Sequence, residues 1–139
     1  MLLLALKANA DTLLGKIIHV QDGDTITVLD DTNTQHKIRL SGIDAPEKRQ
    51  AFGNVSKQSR ADRVAGQSLA VEWVKVDKYR RKIGKVLLAG VDANLVQIKR
   101  GLAWHYKQYQ REQSPTDQQS YAAAEIEARS AQMGLWRAA

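Results

Sequence analysis

Residues 12–43 read TLLGKIIHVQDGDTITVLDDTNTQHKIRLSGI. Three runs rich in Leu, Ile, Val and Thr, at 12–20, 25–30 and 35–43, are separated by two polar clusters. Such runs bounded by turn residues read as strands. Between the first two stands QDGD, whose Asp-Gly step supplies the backbone freedom of a tight hairpin. DDTNT at 30–34 is a second turn cluster. In the third run Ile38 and Leu40 fall on one face and Lys37 and Arg39 on the other, the period-2 pattern of a half-buried strand. The stretch therefore specifies a β-meander.

Beyond it, NVSKQSRADRVA (54–65) suits a helix, with Asn54 as N-cap and Gly66 as its stop. LAVEWVKV (69–76) and KIGKVLLAG (82–90) supply two further strands, Val71 and Trp73 sharing a face in the first. VDANLVQIKRG (91–101) is a short helix, since Leu95, Ile98 and Leu102 recur at helical spacing and Gly101 closes it. The clearest helix is 114–134: Ser114 caps it, Pro115 takes its first position, Asp117 completes a capping-box-like pattern, and Gly134 ends it. Five short strands, a helix after the third and helices at the end make an α+β chain. The expected architecture is a five-stranded OB-type β-barrel with three α-helices.

With 139 residues the chain is expected to form one domain, spanning 12–137. It contains no cysteine, which excludes disulfides, Cys-ligated zinc and thiol chemistry. The formal net charge of +6 is unevenly spread. Residues 37–111 hold 17 Lys and Arg against 6 Asp and Glu, a balance of +11; the remainder holds 4 against 9, a balance of −5. The middle of the chain should attract a polyanion, nucleic acid before others. Residues 1–10 read as the residue of a signal peptide or an apolar tail: Ala8-Asn9-Ala10 has the small-x-small form of a cleavage site, behind a short apolar run at 2–6. A secreted or periplasmic location is expected on that ground, with a cytoplasmic one as the alternative. No stretch approaches the ~20 apolar residues of a membrane span.

The chemistry lies at the ends of the strands. Asp22 and Asp24 flank Gly23 at the first turn; alone, Asp-Gly-Asp is ordinary turn chemistry. Asp44 and Glu47 follow the third strand directly, and in a meander this exit and the first turn lie side by side. Asp24 and Asp44 with a backbone carbonyl and water would make an oxygen shell for a hard cation such as Ca2+. Pro46 biases Ala45 towards an extended backbone that could aim its carbonyl at the metal. Arg39, on the polar face of strand three, and the arginines of the cluster Lys78, Tyr79, Arg80, Arg81 and Lys82 can offer guanidinium forks to phosphate. His19, His36 and His105 lack metal-ligand spacing. Trp73, alternating with Val71, reads as a core residue, and Trp104 and Trp136 as packing anchors at helix ends, although WHYKQY (104–109) could also serve as a base-stacking platform.

DGDT, IRLSGIDAPE and DKYRRKIGKV, in that order, resemble the three signature segments of the staphylococcal (micrococcal) nuclease-like family. NLVQIKRGLAWHY and the terminal GLW are similar to its later helices, so the likeness covers about residues 13–136. The resemblance implies Ca2+-dependent endonuclease activity on DNA and RNA that leaves 3′-phosphate ends; the basic middle segment is expected to hold the backbone without reading sequence, and a monomer without membrane contact is expected. It implies Asp24, Asp44 and the Ala45 carbonyl as metal ligands, and Asp22 as an acid near the metal. Arg39, Glu47 and Arg81 match the catalytic residues. Lys78 and Tyr79 match nucleotide-phosphate contacts, and Tyr109 a nucleotide-contacting tyrosine. Arg80 departs from the family's usual glycine in DKYGR, which would strain the turn by roughly 1–2 kcal/mol if that residue needs positive φ. A non-catalytic OB-type module that binds nucleic acid or protein is the competing reading.

Overall fold

The computed structural model describes residues 11–46, 68–106 and 113–137. The meander is β1 (Asp11–Asp22), β2 (Thr25–Leu29) and β3 (Gln35–Leu40). β1 is long because it serves two neighbours. Its first half pairs with β5 (Ser68–Val76), Asp11 lying opposite Trp73, and its second half pairs with β2. Register shifts at 17–19 and 20–22 bend it between these tasks, as bulges do. β5 continues antiparallel into β6 (Lys82–Leu88). β6 then runs parallel to β3, with Ile38 opposite Lys82 and Leu40 opposite Gly84, and this seam closes a five-stranded barrel.

The alternation of the sequence becomes burial inside that barrel. Ile17, Ile26, Val28, Ile38, Leu40, Val71 and Val86 are all at most 2% exposed and pack as one cluster. Trp73 lies at the edge of this cluster, partly buried, with the Lys82 ammonium 4.7 Å from its ring centre. The expectation of a core tryptophan is thus corrected: a bulge at Val74 disturbs the alternation there.

Short β4 (Ile43–Asp44) pairs with β8 (Trp104–His105), and β7 (Val91–Asp92) extends β6. Two α-helices lie among the described residues, α1 (Ala93–Lys99) and α2 (Pro115–Ser130), with a 3-10 turn at Gly134–Trp136. The expected helix at 54–65 falls outside the described residues. Caps form where capping chemistry places them: the Asp92 carboxylate accepts the Leu95 N–H, and Ser114 Oγ accepts the Asp117 N–H. α1 ends in a Schellman motif, with Leu102 N–H on the Gln97 carbonyl and Gly101, at φ 72°, on Ile98. α2 stops four residues before Gly134. Its Schellman motif is closed by Gln132 at φ 53°, with Met133 N–H on the Ala128 carbonyl.

α2 is docked by polar contacts around an aromatic pair. Tyr121 Oη donates to Asp92 at 2.7 Å, Tyr121 meets His105 edge-on, and buried Glu125 accepts the His105 N–H at 2.8 Å. No described helix is long and apolar enough to cross a membrane.

Candidate active site

The acidic half of the site is built on the β1–β2 turn. Asp22 Oδ1 accepts the Asp24 N–H at 2.9 Å, which closes the turn and directs Asp24 towards the end of β3. Three contacts then hold Asp24. Its carbonyl takes the Leu40 N–H, Thr25 Oγ1 donates to its Oδ1, and the Ala45 N–H donates to its Oδ2 at 3.1 Å. Ala45 thus meets Asp24 through its N–H. Asp44 lies on β4 with its side chain 47% exposed. One nitrogen of Arg39, Nη2, stands 3.9 Å from Asp24 Oδ2 and 3.6 Å from Asp44 Oδ1, so the two carboxylates converge as the meander requires. Burial, reinforced by the neighbouring Asp24 carboxylate, pushes Asp22 up to about 6. For Asp24 burial also acts upward, but the hydrogen bond to Asp22, the Arg39 charge and the Ala45 and Thr25 donors outweigh it and hold the carboxyl below its usual range.

Asp24 and Asp44 present only oxygen donors, the chemistry a hard cation takes. Among the described residues no three His, Cys, Asp or Glu side chains form a complete cage, so backbone oxygen and water would have to complete such a shell.

Arg39 does more than offer a fork. Its Nη1 donates to the Leu40 carbonyl at 2.9 Å and the Ile43 carbonyl at 2.7 Å, tying down the turn where Gly42, at φ 76°, leads the chain out of the barrel. Tyr106 lies over the guanidinium at 5.5 Å. Only the Nη2 side faces the acids. Arg81 is anchored from the other side of its own guanidinium: Asp77 Oδ2 accepts its Nε at 2.8 Å and Asp77 Oδ1 its backbone N–H at 2.9 Å. Asp77 Oδ1 also takes the Tyr79 N–H, so one carboxylate shapes the whole 77–81 turn. The Tyr79 ring faces two cations, Lys78 Nζ at 5.2 Å and Arg81 Cζ at 5.3 Å.

These pieces border one cavity of about 340 Å3. Arg39 and Arg81 both line it, with Lys75, Lys78, Tyr79 and Tyr106. The β3–β6 seam brings them together, since Arg81 immediately precedes the Lys82–Ile38 pair. Asp24 and Asp44 do not line the cavity themselves but lie within 4 Å of Arg39, which does.

Residues 37–138 match the family described as staphylococcal nuclease homologue. The chain belongs to that family. It is similar to a protein named micrococcal nuclease of Shigella flexneri, 38% identical over 144 residues, 97% of this chain and 79% of the relative. An uncharacterized endonuclease of Haemophilus influenzae is 36% identical over 121 residues, 87% of this chain and 65% of the relative. Another, from Escherichia coli O157:H7, is 37% identical over 123 residues, 88% of this chain and 76% of the relative. The chain thus spans just under two thirds of the Haemophilus protein and more of the other two.

Within this staphylococcal nuclease-type frame, Glu47 and Tyr109 fall outside the described residues. Arg80 does take positive φ, 64°, so the substitution of the usual glycine strains the turn as expected. His105 is committed to packing: it is buried, with Nε2 3.0 Å from Gln113 Oε1. Trp136 packs under Arg129, whose Cζ is 4.7 Å from the ring. Two positioning residues were not anticipated. Asp77 orients Arg81. Asn94, fully buried, donates to the Ser41 and Gly84 carbonyls and accepts the Val86 N–H, pinning the turn after β3 to β6. An Asn at the start of a helix after Asp gives no hint of contacts 53 and 10 residues away. For Asp77 the signal was available: an Asp opening a Lys-Tyr-Arg-Arg turn is an Asx-turn former.

Proposed function

We propose that the chain is an endonuclease that hydrolyses phosphodiester bonds of DNA and RNA without reading sequence, with Ca2+ held by Asp24 and Asp44. The observation that carries this reading is the placing of Arg39 and Arg81 on one cavity while two convergent carboxylates back the first arginine. A phosphate seated there receives N–H donors from both guanidinium groups. Those donors stabilise the charge that builds on the non-bridging oxygens as water attacks phosphorus. Asp77 and the Leu40 and Ile43 carbonyls fix the two guanidinium groups beforehand, so little reorganisation is needed. When bound, Ca2+ supplies electrostatic polarisation of the phosphate and of water. Glu47, three residues past Asp44, is the expected group to orient or deprotonate that water. The water oxygen bonds to phosphorus as it gives up a proton, the bond from phosphorus to the 5′-oxygen breaks, that oxygen takes a proton from solvent and leaves as a 5′-hydroxyl, and a 3′-phosphate remains.

Recognition through the backbone alone fits the positive middle of the chain and makes binding fall steeply with salt. A plasmid-nicking assay with Ca2+ or with EDTA tests the reading. Nicking is expected with Ca2+, none with EDTA, and a loss of about a hundredfold or more in Glu47→Gln. Binding of DNA with no cleavage under any divalent cation would favour the non-catalytic OB-type module instead.

A further inference from the structure

Four non-glycine residues among those described have positive φ: Asn33, Arg80, Ala89 and Gln132. Arg80 alone of these is charged. Asn is at home in this region, but a long side chain is disfavoured there. The turn geometry demands it, for the Arg80 N–H donates to the Asp77 carbonyl at 3.0 Å and the Asp77 N–H to the Arg81 carbonyl at 2.8 Å. A glycine would satisfy both bonds without strain. Strained residues of this kind cluster at functional sites; at Gln132 the same strain serves a helix end, whereas Arg80 stands in the turn that carries Arg81. Packing is not that work, since Arg80 is exposed and the described ion pairs engage Arg39, Arg81 and Lys85 but not Arg80. Its neighbours on both sides, Tyr79 and Arg81, line the cavity, and Arg80 does not. It is therefore a cation on the rim, one residue from the arginine that would bind the scissile phosphate.

We propose that Arg80 is a substrate-holding residue, grasping a backbone phosphate of the nucleic-acid strand outside the cavity, beyond the scissile bond. The inference rests on the nuclease reading above and deepens it: it favours polynucleotides over dinucleotides, because only a longer chain brings a second phosphate to the rim. Arg80 and a simple surface charge differ in a measurable way. Replacing Arg80 by glycine relieves the backbone and removes the contact, so stability and affinity move in opposite directions.

The test is fluorescence anisotropy of a labelled single strand of about 20 nucleotides, titrated in EDTA between roughly 50 and 200 mM salt. Relative to the unmodified protein, Arg80→Gly is expected to raise Tm by about 3 °C, to weaken Kd about three- to tenfold and to lower the salt slope by about 0.7. Arg80→Lys, which keeps the charge, should retain the slope. Lys99→Ala, an exposed cation on α1, removes the same charge and should change the slope by less than half as much. The proposal is overturned if Arg80→Gly leaves the slope unaltered, if Lys99→Ala lowers it equally, or if the unmodified protein does not bind the strand. Cleavage of the same strand with Ca2+ is scored separately. Its absence would sink the catalytic reading and leave the Arg80 contact to be judged by the slopes alone.

Discussion

Asp77 accepts two backbone N–H groups and the Nε of Arg81, so one carboxylate both closes the β5–β6 turn and aims a guanidinium. Burial works against its charge, but the donors from Arg81 and Tyr79 outweigh it and hold the carboxyl below its usual value. The folded pKa is thus lower than the unfolded one, about 3.9. Its stabilisation is complete above the unfolded value and is lost as pH falls through the folded one. Asp77→Ala should therefore cost about 1 kcal/mol near neutral pH, and the Tm gap to the unmodified protein should narrow below about pH 4. Thermal melts across that range check it; a gap that widens in acid would show that the side chain is not held ionised. Arg39→Lys belongs to the same scale. A lysine offers one point charge where Arg39 binds two carbonyls with Nη1 and faces two acids with Nη2. Nicking should drop by about a hundredfold or more, as for loss of a preorganised donor. Arg39, Asp24 and Asp44 were legible in the sequence because each sits in a short motif at a strand end. The double duty of Arg39 was not, since the carbonyls it binds come into reach only after Gly42 reverses the chain.

At the scale of the element, the two helices end in the same motif with different residues. α1 uses Gly101 at the left-handed position and α2 uses Gln132. The expected stop at Gly134 failed because that glycine serves another need. A Cβ on Gly134 would lie 2.3 Å from the Gly101 carbonyl oxygen, and a Cβ on Gly101 the same distance from that of Met133. Gly101 also accepts the Leu135 N–H at 2.8 Å. The two glycines let the helix ends touch backbone to backbone, a requirement that no local pattern around residue 134 reveals. Gln132→Gly should stabilise the chain by about 1 kcal/mol, the penalty of a left-handed L-residue. Gly101→Ala should destabilise it by more than about 2 kcal/mol, because strain and a backbone clash combine. Denaturant melts of the two variants should move in opposite directions. Equal midpoints would show that neither position is set by its backbone.

For the whole molecule, hydrophobic period and turn chemistry made the strand order legible, while barrel closure was inferred from strand count and size. The seam itself joins residues 38–40 to 82–84 in parallel, and nothing local in either segment names the other. That seam is what makes the site, because it sets Arg81 on the same cavity as Arg39, whose other neighbours are the acids of the β1–β2 turn and β4. The carboxylates of Asp24 and Asp44 therefore meet only in the folded barrel. A cation that binds the pair should stabilise the fold as a whole, by about 2.7 kcal/mol at a hundredfold excess over its Kd. Asp44 is the cleaner ligand to remove, since Asp24 also holds Ala45 and Thr25 through hydrogen bonds. Half exposed, Asp44 can become Asn with little effect on the fold itself. Titrating Ca2+ should raise the Tm of the unmodified protein progressively and leave that of Asp44→Asn nearly flat. Mg2+ should shift it less at equal concentration, because it gives up its hydration waters reluctantly and demands near-ideal octahedral geometry. If Asp44→Asn gained the same Ca2+-dependent rise, the ion would be held elsewhere, and the pairing of these acids would be left to its visible partner, the Arg39 guanidinium.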